Sequence, residues 1–213
     1  MVQISSGRKN REARAGTRTL ERRIAILKAA GRAFRRHGFA QTGMREIARE
    51  AALSPGNLYY YFRGKNDLLA FCQDHALDRL LGEVKAARSS ERSAPSRLHR
   101  LIRSQVRCML DDMAGAATHL EVDALPPRTR ARILRKRQRY ERALRRIIEE
   151  GVRERDLETD DPALAARAIL GAVNWSARWF NPEGRRTPTE IGDRFAEFLV
   201  RGLSPRPNGK ERA

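Results

Sequence analysis

The sequence predicts an all-α protein of about nine helices in two units, and three observations predict it. Apolar residues recur at steps of three and four through most of the chain, the spacing that lines one side of a helix. Alternating β-branched runs are missing and aromatic residues are only 6% of the chain, so strands are hard to place. Prolines stand where helices can start, at Pro55, Pro127, Pro162 and Pro188, because the first helical residue needs no N–H. With 213 residues and 40% hydrophobic content, the chain can bury a core.

Each element follows in order. Leu20, Ile24, Leu27, Gly31 and Phe34 give a first helix its apolar face, with Thr17 or Thr19 as cap and Gly38 as the stop after His37. A basic, flexible arm, residues 1–17, precedes it. A short helix over about Met44 to Ala51 turns Ile47 and Ala48 inward. Ser54 then caps a second short helix with Pro55 at its first position, and Leu58 and Phe62, four apart, face the core. Gly64-Lys65-Asn66-Asp67 opens a long helix that runs through Leu68, Leu77, Leu80 and Val84. After a polar break with Pro95, a helix to about Met113 sets Leu98, Leu101, Ile102, Gln105 and Met109 on one side. A short helix is expected over Thr118 to Ala124, and a long basic one from Pro127 to about Val152. Two more run from Pro162 to Phe180 and from Pro188 to Gly202, on either side of the turn Asn181-Pro182-Glu183-Gly184. The tail 204–213, with two prolines, is expected to be disordered. The boundaries that result are 18–65 for the first unit and 66–203 for the second.

Charge narrows the function. Lys and Arg number 44 against 26 Asp and Glu, a net +18, which calls for a polyanionic partner. Residues 1–65 hold 15 basic and 4 acidic residues, so the first third carries most of the excess. Double-stranded DNA is the expected partner, and a basic protein lying on an anionic membrane surface is the rival. No apolar run is long enough for a transmembrane helix, and Met1 to Arg18 lacks the apolar segment of a secretory signal. Cys72 and Cys108 are isolated, which excludes a CxxC zinc site or disulfide framework and fits the cytoplasm. His37, His75, His99 and His119 are scattered. With no P-loop, GxGxxG or nucleophile elbow, the chain is expected to be no enzyme and to need no metal or cofactor.

Two short helices joined by a tight turn after a longer helix form a helix-turn-helix. Ala48 and Ala51 are small where the helices cross, Ala52-Leu53-Ser54 is the turn, and Pro55, Gly56 and Asn57 are small or polar at the start of the second helix. Arg45 suits a guanine edge or a phosphate, Asn57 a base edge, and Tyr59 and Tyr60 phosphate or thymine-methyl contacts. Lys65 at a helix start makes sense if both hold one phosphate.

At these residues the chain resembles the TetR family of transcriptional regulators. The resemblance rests on Ile24-Ala25-Ile26-Leu27-Lys28-Ala29-Ala30 with Phe34, Gly38 and Thr42, then Ile47-Ala48, Ser54-x-Gly56-x-Leu58-Tyr59-x-x-Phe62 and Lys65-x-x-Leu68. It spans roughly residues 20–69. The departure is Ala52, where the family usually has Gly; a left-handed Ala there costs about 1 kcal/mol. The resemblance implies a homodimeric repressor that reads a palindromic operator in successive major grooves. It also implies DNA contacts at Thr42, Arg45, Ser54, Pro55, Gly56, Asn57, Tyr59, Tyr60 and Lys65.

The second unit would bind a small-molecule inducer. Trp175 and Trp179 lie four apart on one helix face, either as dimer interface or core, or as ligand contacts with Asn174 and Arg178. The segment 160–203 resembles the subset of the family that controls fatty-acid or sterol catabolism and senses acyl-CoA thioesters. Arg128 to Arg146 holds ten basic residues and one acid, Glu141, beside an apolar side that includes Tyr140 and Leu144. Such a helix could meet both ends of a CoA thioester, or its arginines could simply be solvated. Met109, Met113, Tyr140, Leu144, Asn174, Trp175, Arg178 and Trp179 are the expected ligand contacts. A multidrug-type sensor of aromatic compounds is the alternative; it would need a neutral aromatic pocket.

Overall fold

A computed structural model describes the backbone of residues 4–110 and 122–205. Among them are eight α-helices, one 3-10 turn and no strand. The helices are α1 (Ile4–Gln41), α2 (Met44–Glu50), α3 (Pro55–Tyr61), α4 (Lys65–Ser90), α5 (Ala94–Leu110), α6 (Pro127–Glu154), α7 (Pro162–Trp179) and α8 (Pro188–Arg201); the turn is Val122–Ala124. The all-α expectation holds. Most of the helix expected over Thr118 to Ala124 lies outside the described residues, and its described end is the 3-10 turn. The chain divides between Leu68 and Leu69 into two compact units, so the first turn of α4 belongs to the first unit and the rest to the second.

In the first unit α1 starts at Ile4, well upstream of the cap expected at Thr17 or Thr19, so residues 4–17 are helical. The stretch holds no proline to stop it. The buried face of α1 runs through Ile26, Leu27, Ala29, Ala30, Ala33 and Phe34, whereas Leu20 is exposed. Gly38 takes φ +76° and ψ 159°, a conformation open to glycine, and kinks α1 there, three residues before its end. Two carboxylates on α2 brace it to α1. Glu50 accepts from Arg32 Nε at 2.6 Å and from Arg36 Nη2 at 2.5 Å, and Glu46 Oε1 lies 2.9 Å from His37 Nε2. The Arg32 hydrogen bond, with Arg36 beside it, holds the Glu50 carboxyl below its ordinary range. Leu58 and Phe62 close the core beneath α3 with no exposed surface.

In the second unit α5 packs against α6, α7 and α8. Leu98, Leu101, Ile102 and Val106 of α5 meet Leu144 and Ile147 of α6, Val173 of α7 and Ile191 of α8 in one core. Gly151 stands where α6 passes closest to its neighbours: a Cβ there would lie 2.6 Å from Leu157 Cδ1 and 2.8 Å from Ala94 Cβ. Asp161 caps α7 by accepting from the N–H groups of Ala163 and Leu164, both at 2.9 Å. Thr187 and Glu190 form a reciprocal capping box at α8, signalled in the sequence by Thr-x-x-Glu. No helix among the described residues is long and apolar enough to cross a membrane.

Candidate nucleic-acid interface and ligand cavity

The turn between α2 and α3 is tight because Ala52 adopts φ +51°. Its N–H donates to the Arg49 carbonyl (3.1 Å) and that of Leu53 to the Ala48 carbonyl (2.9 Å). The strain foreseen for an alanine in place of glycine is therefore present. Ser54 then accepts the N–H of Asn57 at 3.2 Å and starts α3. With Leu58 pulled into the core, helical geometry turns the other residues outward. Ser54, Pro55, Gly56, Asn57, Tyr59 and Tyr60 are all exposed, Tyr60 at 82%. A Cβ added to Gly56 would meet nothing within 4 Å, so packing does not demand a glycine there. Arg45 is exposed on α2.

Two expected contact residues are placed otherwise. Thr42 is 1% exposed; its hydroxyl donates to the Gly38 carbonyl at 2.8 Å, with the Ala33 carbonyl at 3.3 Å. Its side chain closes the end of α1 and has no open face. Lys65 directs its ammonium to the carbonyls of Phe39 (2.7 Å) and Ala40 (3.1 Å), 4.6 Å from the centre of the Phe39 ring. The cation answers the negative end of α1, using two of its three donors there. The favourable charge at the start of α4 comes from Asp67, which accepts the Arg63 N–H at 3.1 Å.

The second unit contains a cavity of about 180 Å³. Ala76, Leu77, Leu80, Met109 and Leu170 make its apolar wall; Gln73, Gln105, Tyr140 and Asn174 are its neutral polar groups, and Arg137 and Glu141 its charged ones, Glu141 also meeting Arg167 at 3.1 Å. Gln105 Nε2 donates to Asn174 Oδ1 at 3.1 Å, and Arg137 Nη2 to Gln73 Oε1 at 2.9 Å. Burial raises the Tyr140 hydroxyl far above its ordinary value, and it raises the Cys108 thiol too.

Met109, Tyr140 and Asn174 thus line the cavity as expected, and Met113 lies outside the described residues. Leu144 does not line it: at 1% exposed it sits in the helix core. Trp175, Arg178 and Trp179 do not line it either. The buried side of α7 is Ala166, Ile169, Val173 and Ser176, which turns both tryptophans outward. Trp175 is 64% exposed with the Arg178 guanidinium 5.9 Å from its ring centre, and Trp179 stacks on Phe195 at 6.1 Å. Gln73, Gln105 and Arg137 were not foreseen as cavity residues. A glutamine on the otherwise apolar side of α5 was the signal for Gln105.

Four of the ten cations in the basic stretch of α6 meet acidic side chains. Lys136 Nζ reaches Asp74 Oδ1 at 2.6 Å and Asp78 Oδ1 at 2.7 Å on α4, and Arg132 reaches Asp74 at 3.3 Å. Arg130 meets Asp123 at 2.6 Å, and Arg145 meets Glu149 at 3.1 Å. Of the ten cations, Arg137 alone is in the cavity wall.

Residues 26–71 match the family described as bacterial regulatory proteins, tetR family. Residues 91–203 match the Tetracyclin repressor-like C-terminal domain. The chain belongs to the TetR family. It is therefore a DNA-binding transcriptional regulator and not an enzyme. A relative of this TetR-family chain is the HTH-type transcriptional repressor KstR2 of Mycobacterium tuberculosis, 25% identical over 86% of this chain and 93% of that protein. Among solved structures, the TetR-family regulator PfmR of Thermus thermophilus superposes with a TM-score of 0.74 at 29% identity, over 84% of this chain and 99% of that one. AibR in complex with isovaleryl coenzyme A and operator DNA superposes with a TM-score of 0.69 at 25% identity, over 87% and 100%.

Proposed function

We propose that this regulator is a homodimeric repressor, released from a palindromic operator by an acyl-CoA thioester. The observation that carries the reading is the cavity of the second unit, an apolar wall with the Arg137 guanidinium in it and a carboxylate, Glu141, that is already engaged by Arg167. An acyl chain suits the apolar wall, and Arg137 suits an anionic or strongly polar group of the thioester. At about 180 Å³ the cavity is smaller than the roughly 300–1,000 Å³ of a drug-sized site, so only the acyl end would enter it. The complex of AibR with isovaleryl coenzyme A and operator DNA supports the same choice. Among the described lining residues Tyr140 is the one aromatic, and Arg137 and Glu141 are charged, which disfavours a sensor of neutral aromatic drugs.

On the DNA side, Gly56, Asn57, Tyr59 and Tyr60 of α3 would face the major groove, with Arg45 on α2 and Ser54 and Pro55 at the entry to α3. Thr42 and Lys65 shape that surface rather than read DNA with their side chains. The two heads of a dimer would stand about 34 Å apart, one turn of the duplex. The exposed apolar residues Leu164, Trp175 and Trp179 of α7 and Phe198 of α8 suit burial against a second copy of the chain. Helix α4 starts in the DNA-binding unit and supplies Cys72, Gln73, Ala76, Leu77 and Leu80 to the cavity wall, so a ligand that shifts α4 would displace the head. A coupling of about 1–3 kcal/mol is enough.

A mobility-shift titration tests this. Acyl-CoA thioesters of increasing chain length should release the protein from its operator, and flavonoids or cationic dyes should not. Release by those aromatics, with none by any acyl-CoA, would exclude the proposed inducer.

A further inference from the structure

Tyr140 stands out among the cavity residues. It is 3% exposed, it lines the cavity, and its hydroxyl is buried with no hydrogen-bond partner among the described residues. A buried hydroxyl without a partner costs about 1–3 kcal/mol, so such groups are rare unless something else meets them. The same wall holds the Gln105–Asn174 amide pair, whose one internal bond leaves other donor and acceptor capacity. A plain hydrocarbon chain in this space would satisfy none of these groups. The phenol is an uncharged donor at neutral pH, and it suits an acceptor oxygen.

We propose that Tyr140 is a specificity-determining residue: its hydroxyl donates to an oxygen carried by the acyl group itself, so that the regulator prefers an oxygen-bearing acyl chain over the aliphatic chain of equal length. This rests on the acyl-thioester reading of the cavity. It goes beyond it by specifying what the buried end of the ligand must contain. Gln105 and Asn174 widen the polar patch that the oxygen meets, and Met109 and Leu80 hold the carbons around it.

The experiment is isothermal titration of the full-length protein with hexanoyl-CoA and 5-oxohexanoyl-CoA. The same two acyl groups are also offered as N-acetylcysteamine thioesters, which lack the nucleotide. The wild type should bind the oxo compound at least about tenfold more tightly than its aliphatic counterpart. Tyr140→Phe should abolish that preference by weakening the oxo compound alone, and should melt at the wild-type temperature or above it, because the lost hydroxyl has no partner among the described residues. Tyr140→Phe with equal losses for both acyl groups, or a wild type with no preference, would overturn the proposal; the latter means that water satisfies the hydroxyl. Binding of neither acyl group in either form would overturn it as well. Should only the N-acetylcysteamine thioesters bind, with the Tyr140-dependent preference intact, the assignment of Tyr140 stands and the CoA reading falls.

Discussion

The outward face of α3 and the basic row of α6 look alike in the sequence, since both are polar stretches in a strongly basic chain, yet the structure treats them in opposite ways. On α3, Asn57, Tyr59 and Tyr60 stand exposed, and Gly56 leaves the backbone open beside them. On α6, Lys136, Arg132, Arg130 and Arg145 meet acidic partners, two of these, Asp74 and Asp78, on α4. The lesson is that a count of cations does not locate a binding surface. A polar group is available when the fold has made no other use of it. Asp74 lies 58 residues from Arg132, and Asp78 lies 58 from Lys136, too far for a local reading to pair them.

Four substitutions break or sharpen this contrast. The largest effect is expected for Phe62→Ala. Its ring is fully buried and anchors the far end of α3, so its loss should cost about 3–5 kcal/mol in urea unfolding of the DNA-binding unit and abolish operator binding with it. Lys136→Met should cost about 1 kcal/mol at low salt and less at high salt, because Lys136 is the common partner of Asp74 and Asp78. An unchanged salt dependence would show that the α6 row is merely solvated. Ala52→Gly should raise stability by up to about 1 kcal/mol, since a glycine takes φ +51° without the strain an alanine bears. A loss of stability would mean that the turn carries no strain.

The smallest effect is expected from Glu50→Gln, and it depends on pH. The folded carboxyl titrates below its ordinary value of 4.5 because Arg32 and Arg36 favour the charged form. The stability that Glu50 contributes is therefore complete above 4.5 and disappears as the pH falls through the lower folded value. The wild type and Glu50→Gln should differ in melting temperature at pH 7 and converge in strong acid.

The fold was largely legible. Periodicity and prolines placed most helices, because each helix buries one stripe and needs a start. The Ser54–Phe62 motif was legible for the same local reason: cap, proline, small residue and core anchors lie within nine positions. For Thr42 and Lys65 the sequence did not reveal the side-chain partners, which are carbonyls in the last turns of α1, a geometry no local pattern shows. The cavity was legible only in part. Tyr140 and Asn174 belong to helices whose faces could be read, but the tryptophans drew attention by their size, and α7 turns them away from the cavity. Arg137 was hidden among nine other cations, and only tertiary packing distinguishes it.

The claim that α3 reads DNA and the α6 row does not is tested most directly by fluorescence anisotropy with two duplexes, an operator selected from a random pool and a scrambled control. Asn57→Ala should lose about tenfold to a hundredfold on the operator and little on the control, because a base-edge contact carries sequence preference. Arg132→Ala, which removes a cation of α6 already paired with Asp74, should change neither. An Asn57→Ala protein that binds the operator as the wild type does, or an Arg132→Ala protein that loses affinity for both duplexes, would contradict it.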